Sequence, residues 1–310
     1  MALSILNQLR ASEKTGESKE STLPKISMTY DLVRLEEKAI IEAARKRGSS
    51  IDLKTFDSRD LYFDLLDRRN IAETFGKVTL QRVAQYFRNL HLTAVLEGHG
   101  VQVVNNLNSA HVSGNKLLTT MLLAKEGVPT PKTKLAFTEA SALKALDELG
   151  YPAVIKPTIG SWGRLVALVN DVDAAKSVIE DREEMYPLYH VYYMQEKVKR
   201  PPRDIRAIVV GDQTVAAIYR ISATDDWRTN TARGGKAENL PMTKELDDLC
   251  VRATRSFGGG VYGVDLMESE DRGLLVHEVN NTTEFKNVMM QSGVDIPGRI
   301  VDYLIERAKS

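Results

Sequence analysis

The sequence predicts an α/β protein with a small parallel sheet at its front and two α+β subdomains behind it. Three observations predict this. Apolar strands and amphipathic helices alternate between residues 25 and 105. From Asn115 onward helices stop at glycines, and one strand runs into Lys156-Pro157 ahead of Gly160. Late in the chain, two apolar strands flank a polar turn and carry Asp265, Glu278 and Asn280. Alternation of the first kind builds a parallel sheet with helices on its faces. The third pattern is that of an antiparallel hairpin.

Size and composition fit this division. A chain of 310 residues exceeds one simple core, and 43% hydrophobic with 27% charged residues is ordinary for a globular protein. The formal net charge of zero argues against a nucleic-acid or membrane-surface binder. Cys250 is the single cysteine, so neither an internal disulfide nor a cysteine zinc site is available, and a cytoplasmic setting is expected. No apolar run approaches the roughly 20 residues of a membrane span. Residues 1–24, rich in Ser, Glu and Lys and without a signal-peptide core, read as a mobile extension.

Taken in order, residues 25–33 read as a buried strand and 35–47 as a helix with apolar side chains at helical spacing, stopped at Gly48. Residues 51–55 and 78–83 are further strands, 86–96 an amphipathic helix closed by Gly98, and 101–105 a short strand. No Gly-x-Gly-x-x-Gly follows the first strand, so a dinucleotide fingerprint is absent. The domain spans 25–112. The second, 113–191, holds a helix over 116–126 stopped at Gly127, and another over 138–149 with Thr138 as its cap and Gly150 as its stop. A strand ending at Lys156 then enters the loop Gly160-Ser161-Trp162-Gly163-Arg164. Glycine lets such a loop fold its backbone N–H groups over phosphate oxygens, and a strand lysine adds a fixed positive charge. A helix over 173–181 and a strand over 189–196 follow.

The third domain spans 192–310. At its start Gln195-Glu196 at a strand end can receive a ribose and adenine, while the basic run 197–203 reads equally as a solvated edge. Residues 204–210 and 214–220 form a hairpin around Gly211-Asp212. The stretch 221–239 is a long polar loop, which in a compact domain points to a lid or binding loop. Cys250 lies in a helical pattern over 244–257 and reads as core. In the hairpin 261–267 with 274–279, Glu278 and Asn280 lie two apart on one face, and pairing can bring Asp265 beside them. Two carboxylates and an amide oxygen are the hard donor set that suits Mg²⁺ shared with nucleotide phosphates. The five histidines lack metal-ligand spacing, and His277 reads as packing.

Three motifs together resemble a known family: Lys-Pro-x-Ile-Gly-Ser-Trp-Gly-Arg-Leu from Lys156, Asn-Thr-Ala-Arg-Gly-Gly from Asn230, and Glu-Val-Asn-x-Thr-x-Glu-Phe-Lys-Asn from Glu278. The chain after residue 25 resembles the ATP-grasp superfamily of carboxylate–amine ligases. It is closest to the branch related to the ribosomal-protein glutamate ligase, and within it to ligases that join α-aminoadipate to the carrier protein LysW. The resemblance implies an ATP-grasp fold, in which α+β subdomains clamp ATP. It implies ATP and two Mg²⁺ ions as cofactors, amide formation through an acyl phosphate in lysine biosynthesis, and a homo-oligomer. Carried over by position, Lys116 and Lys156 hold ATP phosphates and act with Arg220 in catalysis. Gly160, Ser161, Trp162, Gly163 and Arg164 form the phosphate flap. Gln195, Glu196, Lys197, Val198, Arg203, Arg228 and Asn230 hold the nucleotide. Asp265, Glu278 and Asn280 are the metal ligands. Arg220, Thr231, Ala232, Glu284, Phe285, Lys286, Asn287 and Val288 take the amino acid.

Departures bear on the substrate. Asn281 stands where relatives often carry His, and Val288 follows Asn287 where the aminoadipate pattern has Thr or Ala. The glutamate-using sister enzymes show Gly-Phe at 287–288. Asn287 therefore favours aminoadipate, while Val288 leaves glutamate, in arginine biosynthesis or alongside aminoadipate, open. A non-enzymatic nucleotide-sensing scaffold is the alternative from another class, and the intact lysine and metal set argues against it.

Overall fold

The computed structural model describes residues 24–48, 51–66, 68–160, 163–222 and 236–310. Three sheets organise them. The first is parallel, in the order β2-β1-β3-β4, from β1 (Lys25–Tyr30), β2 (Asp52–Asp57), β3 (Val78–Arg82) and β4 (Gln102–Val104). The connections are α1 (Leu35–Lys46), α2 (Arg68–Phe75) and α3 (Tyr86–Gly98). Strand β1 is covered on both faces, as a central parallel strand must be. Ile26 and Met28 enter the core, while Ser27 and Thr29 on the other face bond across to Thr79 and Gln81, each at 2.7 Å. After β4 come α4 (Leu107–Ser113) and α5 (Lys116–Lys125).

The second sheet is antiparallel, in the order β5-β8-β6-β7, from β5 (Thr133–Ala136), β6 (Ala153–Lys156), β7 (Ala167–Val169) and β8 (Tyr192–Glu196). Helices α6 (Glu139–Leu149) and α7 (Val172–Glu183) cover it over a core that includes Leu146, Ile155 and Ile179. Thr138 accepts from the Ser141 N–H as the cap of α6, as its sequence position predicts. The boundary expected at 191/192 cuts this sheet, because β8 pairs with β5 and β6 and so belongs to the second unit. That strand also starts later than residue 189. Pro187 opens a 3₁₀ turn over Pro187–His190.

The third sheet is antiparallel, in the order β11-β10-β9-β12-β13, from β9 (Arg203–Val210), β10 (Gln213–Ile221), β11 (Lys236–Leu240), β12 (Val261–Ser269) and β13 (Gly273–Asn280). Helix α8 (Lys244–Arg255) packs on one face around Leu249, Cys250 and Phe257, so Cys250 is core. On the other face α9 (Lys286–Ser292) and α10 (Ile296–Lys309) place Val288, Ile300 and Leu304 against Ile208 and Ile218. The same cluster contains Ile26, Met28 and Ile40 of the first unit, so the first and third sheets share one core.

Six of the described strands and α-helices escaped the sequence reading: α2, α4, β5, β11, α9 and α10. Strand β11 falls inside the stretch expected to be loop. It is an edge strand of sequence KAENL, held by its ladder to β10 and not by apolar alternation. The extension 1–24 lies outside the described residues except for Pro24. None of the described helices is long and apolar enough to cross a membrane.

Candidate active site

A cavity of about 1020 Å³ opens where the three sheets meet. A smaller crevice of about 350 Å³, at Glu97, Gly258 and Tyr303, holds none of the residues singled out above.

Local chemistry positions the two lysines. Asn115 caps α5 by accepting from the N–H groups of Leu117 and Leu118, and the Lys116 N–H donates to Thr158 O at 2.8 Å. The start of the helix is thus stitched to the strand end that leads into the flap. Lys116 Nζ donates to Gly160 O at 2.5 Å and stands 3.9 Å from Glu278 Oε1. Lys156, the last residue of β6, donates to Gln195 Oε1 at 2.7 Å. Burial lowers its pKa to about 8, and the nearby Lys116 adds to the shift. A phosphate would relieve that repulsion. Gly160 (φ +153°) and Gly163 (φ +67°) both hold backbone conformations that side chains other than glycine rarely adopt.

The hairpin brings its three polar residues together. In the β12–β13 register Asp265 faces Glu278, and Gly263 faces Asn280. A Cβ on Gly263 would overlap Thr283 Oγ1 at 2.1 Å, so only glycine lets the segment after Asn280 fold back over the strand. The register shifts between Asp265 and Leu266, opposite Glu278 and Val276, which leaves His277 as an extra residue in a bulge. The bulge turns His277 into the cavity, where its Nε2 has no hydrogen-bond partner among the described residues. Burial lowers its pKa to about 3, with Lys156, Arg220 and Arg200 contributing, so its ring is neutral. It was expected only to pack.

Asp265 is tied to cations. Arg206 donates from Nε to Oδ1 at 2.5 Å and from Nη2 to Oδ2 at 2.9 Å, and Arg220 Nη2 lies 3.3 Å from Oδ1. Burial opposes its ionisation, but Arg206 and then Arg220 outweigh it and hold the carboxyl below its ordinary value. Each carboxylate oxygen has two acceptor sites, so Oδ2 keeps one beyond Arg206. Glu278 and Asn280 face the cavity from one strand, and the Asn280 amide nitrogen has no partner among the described residues. This all-oxygen donor set fits a hard divalent cation. Among the described residues no group of three or more His, Cys, Asp or Glu is placed to hold a metal by itself.

The remaining expected residues divide. Gly160, Gly163, Arg164, Gln195, Glu196, Lys197, Val198, Glu284, Lys286 and Asn287 line the cavity. The Glu196 carboxylate is already engaged, accepting from the Lys132 N–H and from Arg272. Arg220 also lines it, but gives Nε and Nη2 to Asp204 at 2.6 and 2.9 Å. Three expectations are corrected. Arg203 turns from the cavity, pairing with Glu268 and stacking over Tyr219 at 4.0 Å. Phe285 and Val288 are buried in the core under α9 and α10, not on a pocket wall. Ser161, Trp162, Arg228, Asn230, Thr231 and Ala232 lie outside the described residues. The sequence reading missed Arg34, Asp204 and Arg206, which also line the cavity. The alternating run around Arg206 held a signal, since a charge inside a buried strand needs a partner.

Comparisons with known proteins identify the family. Residues 26–112 match the LysX preATP-grasp domain, and 113–304 match the RimK-like ATP-grasp domain. The chain is 36% identical over 285 residues to the alpha-aminoadipate–LysW ligase LysX of Sulfurisphaera tokodaii, covering 91% of this chain and 97% of that one. It is 33% identical to the glutamate–LysW ligase ArgX of Sulfolobus acidocaldarius, covering 90% and 98%. A RimK domain ATP-grasp protein of Sphaerobacter thermophilus superposes with a TM-score of 0.70 at 25% identity, covering 90% of this chain and 99% of that one. The chain belongs to the RimK-like ATP-grasp family, with a LysX-type preATP-grasp domain at its front.

Proposed function

We propose that this chain is an ATP-dependent ligase that joins the α-amino group of α-aminoadipate to the γ-carboxylate of the C-terminal glutamate of LysW. The observation that carries the reading is the shared cavity. It gathers Lys116, Lys156, Glu278 and Asn280 with Glu284, Lys286 and Asn287 in one lining. Relatives named for this activity, 36 to 38% identical over about nine tenths of the chain, support it.

The chemistry follows from the donors. The carrier carboxylate attacks the γ-phosphorus of ATP, the bond to the bridging oxygen breaks, and ADP leaves behind an acyl phosphate. The amine attacks its carbonyl carbon, phosphate departs and the amine sheds a proton. Lys116 and Lys156 neutralise charge on the transferring phosphoryl group, and the lowered pKa of Lys156 leaves it mostly charged at pH 7. Asp265, Glu278 and Asn280 would hold Mg²⁺, which would neutralise charge on the nucleotide phosphates when bound. Alignment of carboxylate, phosphate and amine in one enclosed space supplies much of the rate.

Glutamate is a second, weaker substrate in this reading. Val288 lies in the core, so its side chain builds no pocket wall that would set the length of the acid. One methylene is worth only about 1–3 kcal/mol. The decisive experiment combines purified enzyme, Mg-ATP, LysW and each amino acid. ADP release and a mass gain on the carrier are expected only with all components present, and fastest with aminoadipate. ATP turnover indifferent to the carrier would refute the assignment.

A further inference from the structure

The cations expected to take a substrate carboxylate are largely committed elsewhere. Arg220 gives its fork to Asp204 and faces Asp265, while Arg206 is spent on Asp265 and Thr283. Arg34 is differently placed. It stands between β1 and α1, in the first unit, and lines the cavity with Glu284, Lys286 and Asn287. Fully buried Glu37 accepts from the Arg34 N–H at 2.8 Å, from Nε at 3.2 Å and from Nη2 at 2.8 Å. Glu37 also accepts from buried Arg82 at 3.0 Å. One edge of the Arg34 guanidinium is therefore fixed by a rigid network. The other edge, Nη1, points towards Glu284 Oε1 at 3.6 Å, which is too long for a hydrogen bond.

The opposite wall is fixed by the same unit. Asn105 donates to Asn281 O at 3.0 Å, Asn89 to Thr282 Oγ1 at 3.2 Å and Arg82 to Thr283 O at 2.9 Å. Glu36 accepts from the N–H groups of Phe285 and Lys286 at 3.1 and 2.9 Å. Asn287 follows directly. Its backbone and that of Arg34 are thus set by one scaffold, and the Glu284 side chain facing Arg34 is half exposed and able to swing into water.

We infer that Arg34 is a specificity-determining residue, receiving the distal carboxylate of a dicarboxylic amino acid through its outward edge, with Asn287 as a neutral donor in the same cavity. The inference rests on the reading of the cavity as an amino-acid ligase site. A neutral amide alone leaves a carboxylate's charge unbalanced, whereas a guanidinium held by a second-layer carboxylate is preorganised for it.

The test uses the full chain with carrier and Mg-ATP, and compares a dicarboxylic amino acid with its ω-amide. Arg34→Gln should lower kcat/KM for the dicarboxylate by roughly 10- to 100-fold, mostly through KM, as expected for a charge-assisted bond. The ω-amide and the KM for ATP should be unchanged, and Arg34→Lys should fall between. Equal losses on both substrates, or an unchanged preference, would overturn the inference. If Arg34→Gln does not fold, as its melting curve will show, Arg34→Lys decides, and its preference for the dicarboxylate must still drop. Wild-type enzyme that ligates no dicarboxylic acid defeats the proposed function, whereas active enzyme indifferent to Arg34 defeats only this inference.

Discussion

Arg206 and Asp265 face one another across the β9–β12 ladder and form a two-point ion pair, at 2.5 and 2.9 Å, in the lining of the cavity. Asp265 is buried, so removing it strips Arg206 of its carboxylate partner, while Arg220 keeps Asp204. Asp265→Ala should cost roughly 3–5 kcal/mol, the range for breaking a buried pair. Its folded pKa lies below the unfolded one, so its stabilisation is present above pH about 4 and is lost as pH falls through the folded value. Thermal melts across pH 2 to 7 should show a shallower acid loss in Asp265→Asn than in wild type. Parallel curves would mean the pair contributes little.

Glu278→Gln should abolish ligation with the melting temperature nearly unchanged. It removes one anionic oxygen donor from a half-exposed position and leaves the volume alone. Calorimetry of Mg-ATP binding checks the cause. Metal-dependent nucleotide binding that survives the substitution would place the cation elsewhere.

Lys156 carries the pH dependence of nucleotide binding. With a pKa of about 8 in the free enzyme, it loses its charge as pH rises through that value, so ATP affinity should fall between pH 7 and 9. Bound phosphate favours the charged form, and binding near pH 8 should take up protons. Lys156→Arg, charged throughout, should flatten the profile. A flat wild-type profile would show that the lysine stays charged in the free protein.

Substrate choice is best probed at Asn287 alone. Replacing both 287 and 288 by Gly-Phe would drive a ring into the core at Val288, at a cost of about 1–3 kcal/mol from overpacking. Asn287→Gly should narrow or reverse the preference for aminoadipate over glutamate, read from competition between the two acids. An unchanged ratio would move the discrimination to other groups in the cavity.

How much of this was legible in the sequence depended on the range of each interaction. Asn115, Gly127 and Thr138 punctuate helices locally, and Asp265 meets Glu278 through a short turn, so those features could be read directly. Arg34 and Glu36 could not. Glu36 meets Phe285 across 249 positions of sequence, and no local pattern signals it. Val288 was misplaced because 284–288 was carried over as one run from the family pattern, with no helix read at α9. In a helix successive side chains diverge by about 100°, so Asn287 can face the cavity while Val288 faces inward. His277 was hidden by a bulge, since one inserted residue changes which side of the strand a side chain takes.

The core shared by the first and third sheets has a consequence for how the protein is made. Ile26, Met28 and Ile40 leave the ribosome early, yet Ile300 and Leu304, which close over them, come some 260 residues later. Translation at about 5–20 residues per second leaves the nascent first unit with an uncovered apolar face for tens of seconds. Residues 25–112, cut out as a fragment, would carry the same bare face permanently. The unit that carries the Arg34 network therefore closes its core only once α10 has been synthesised.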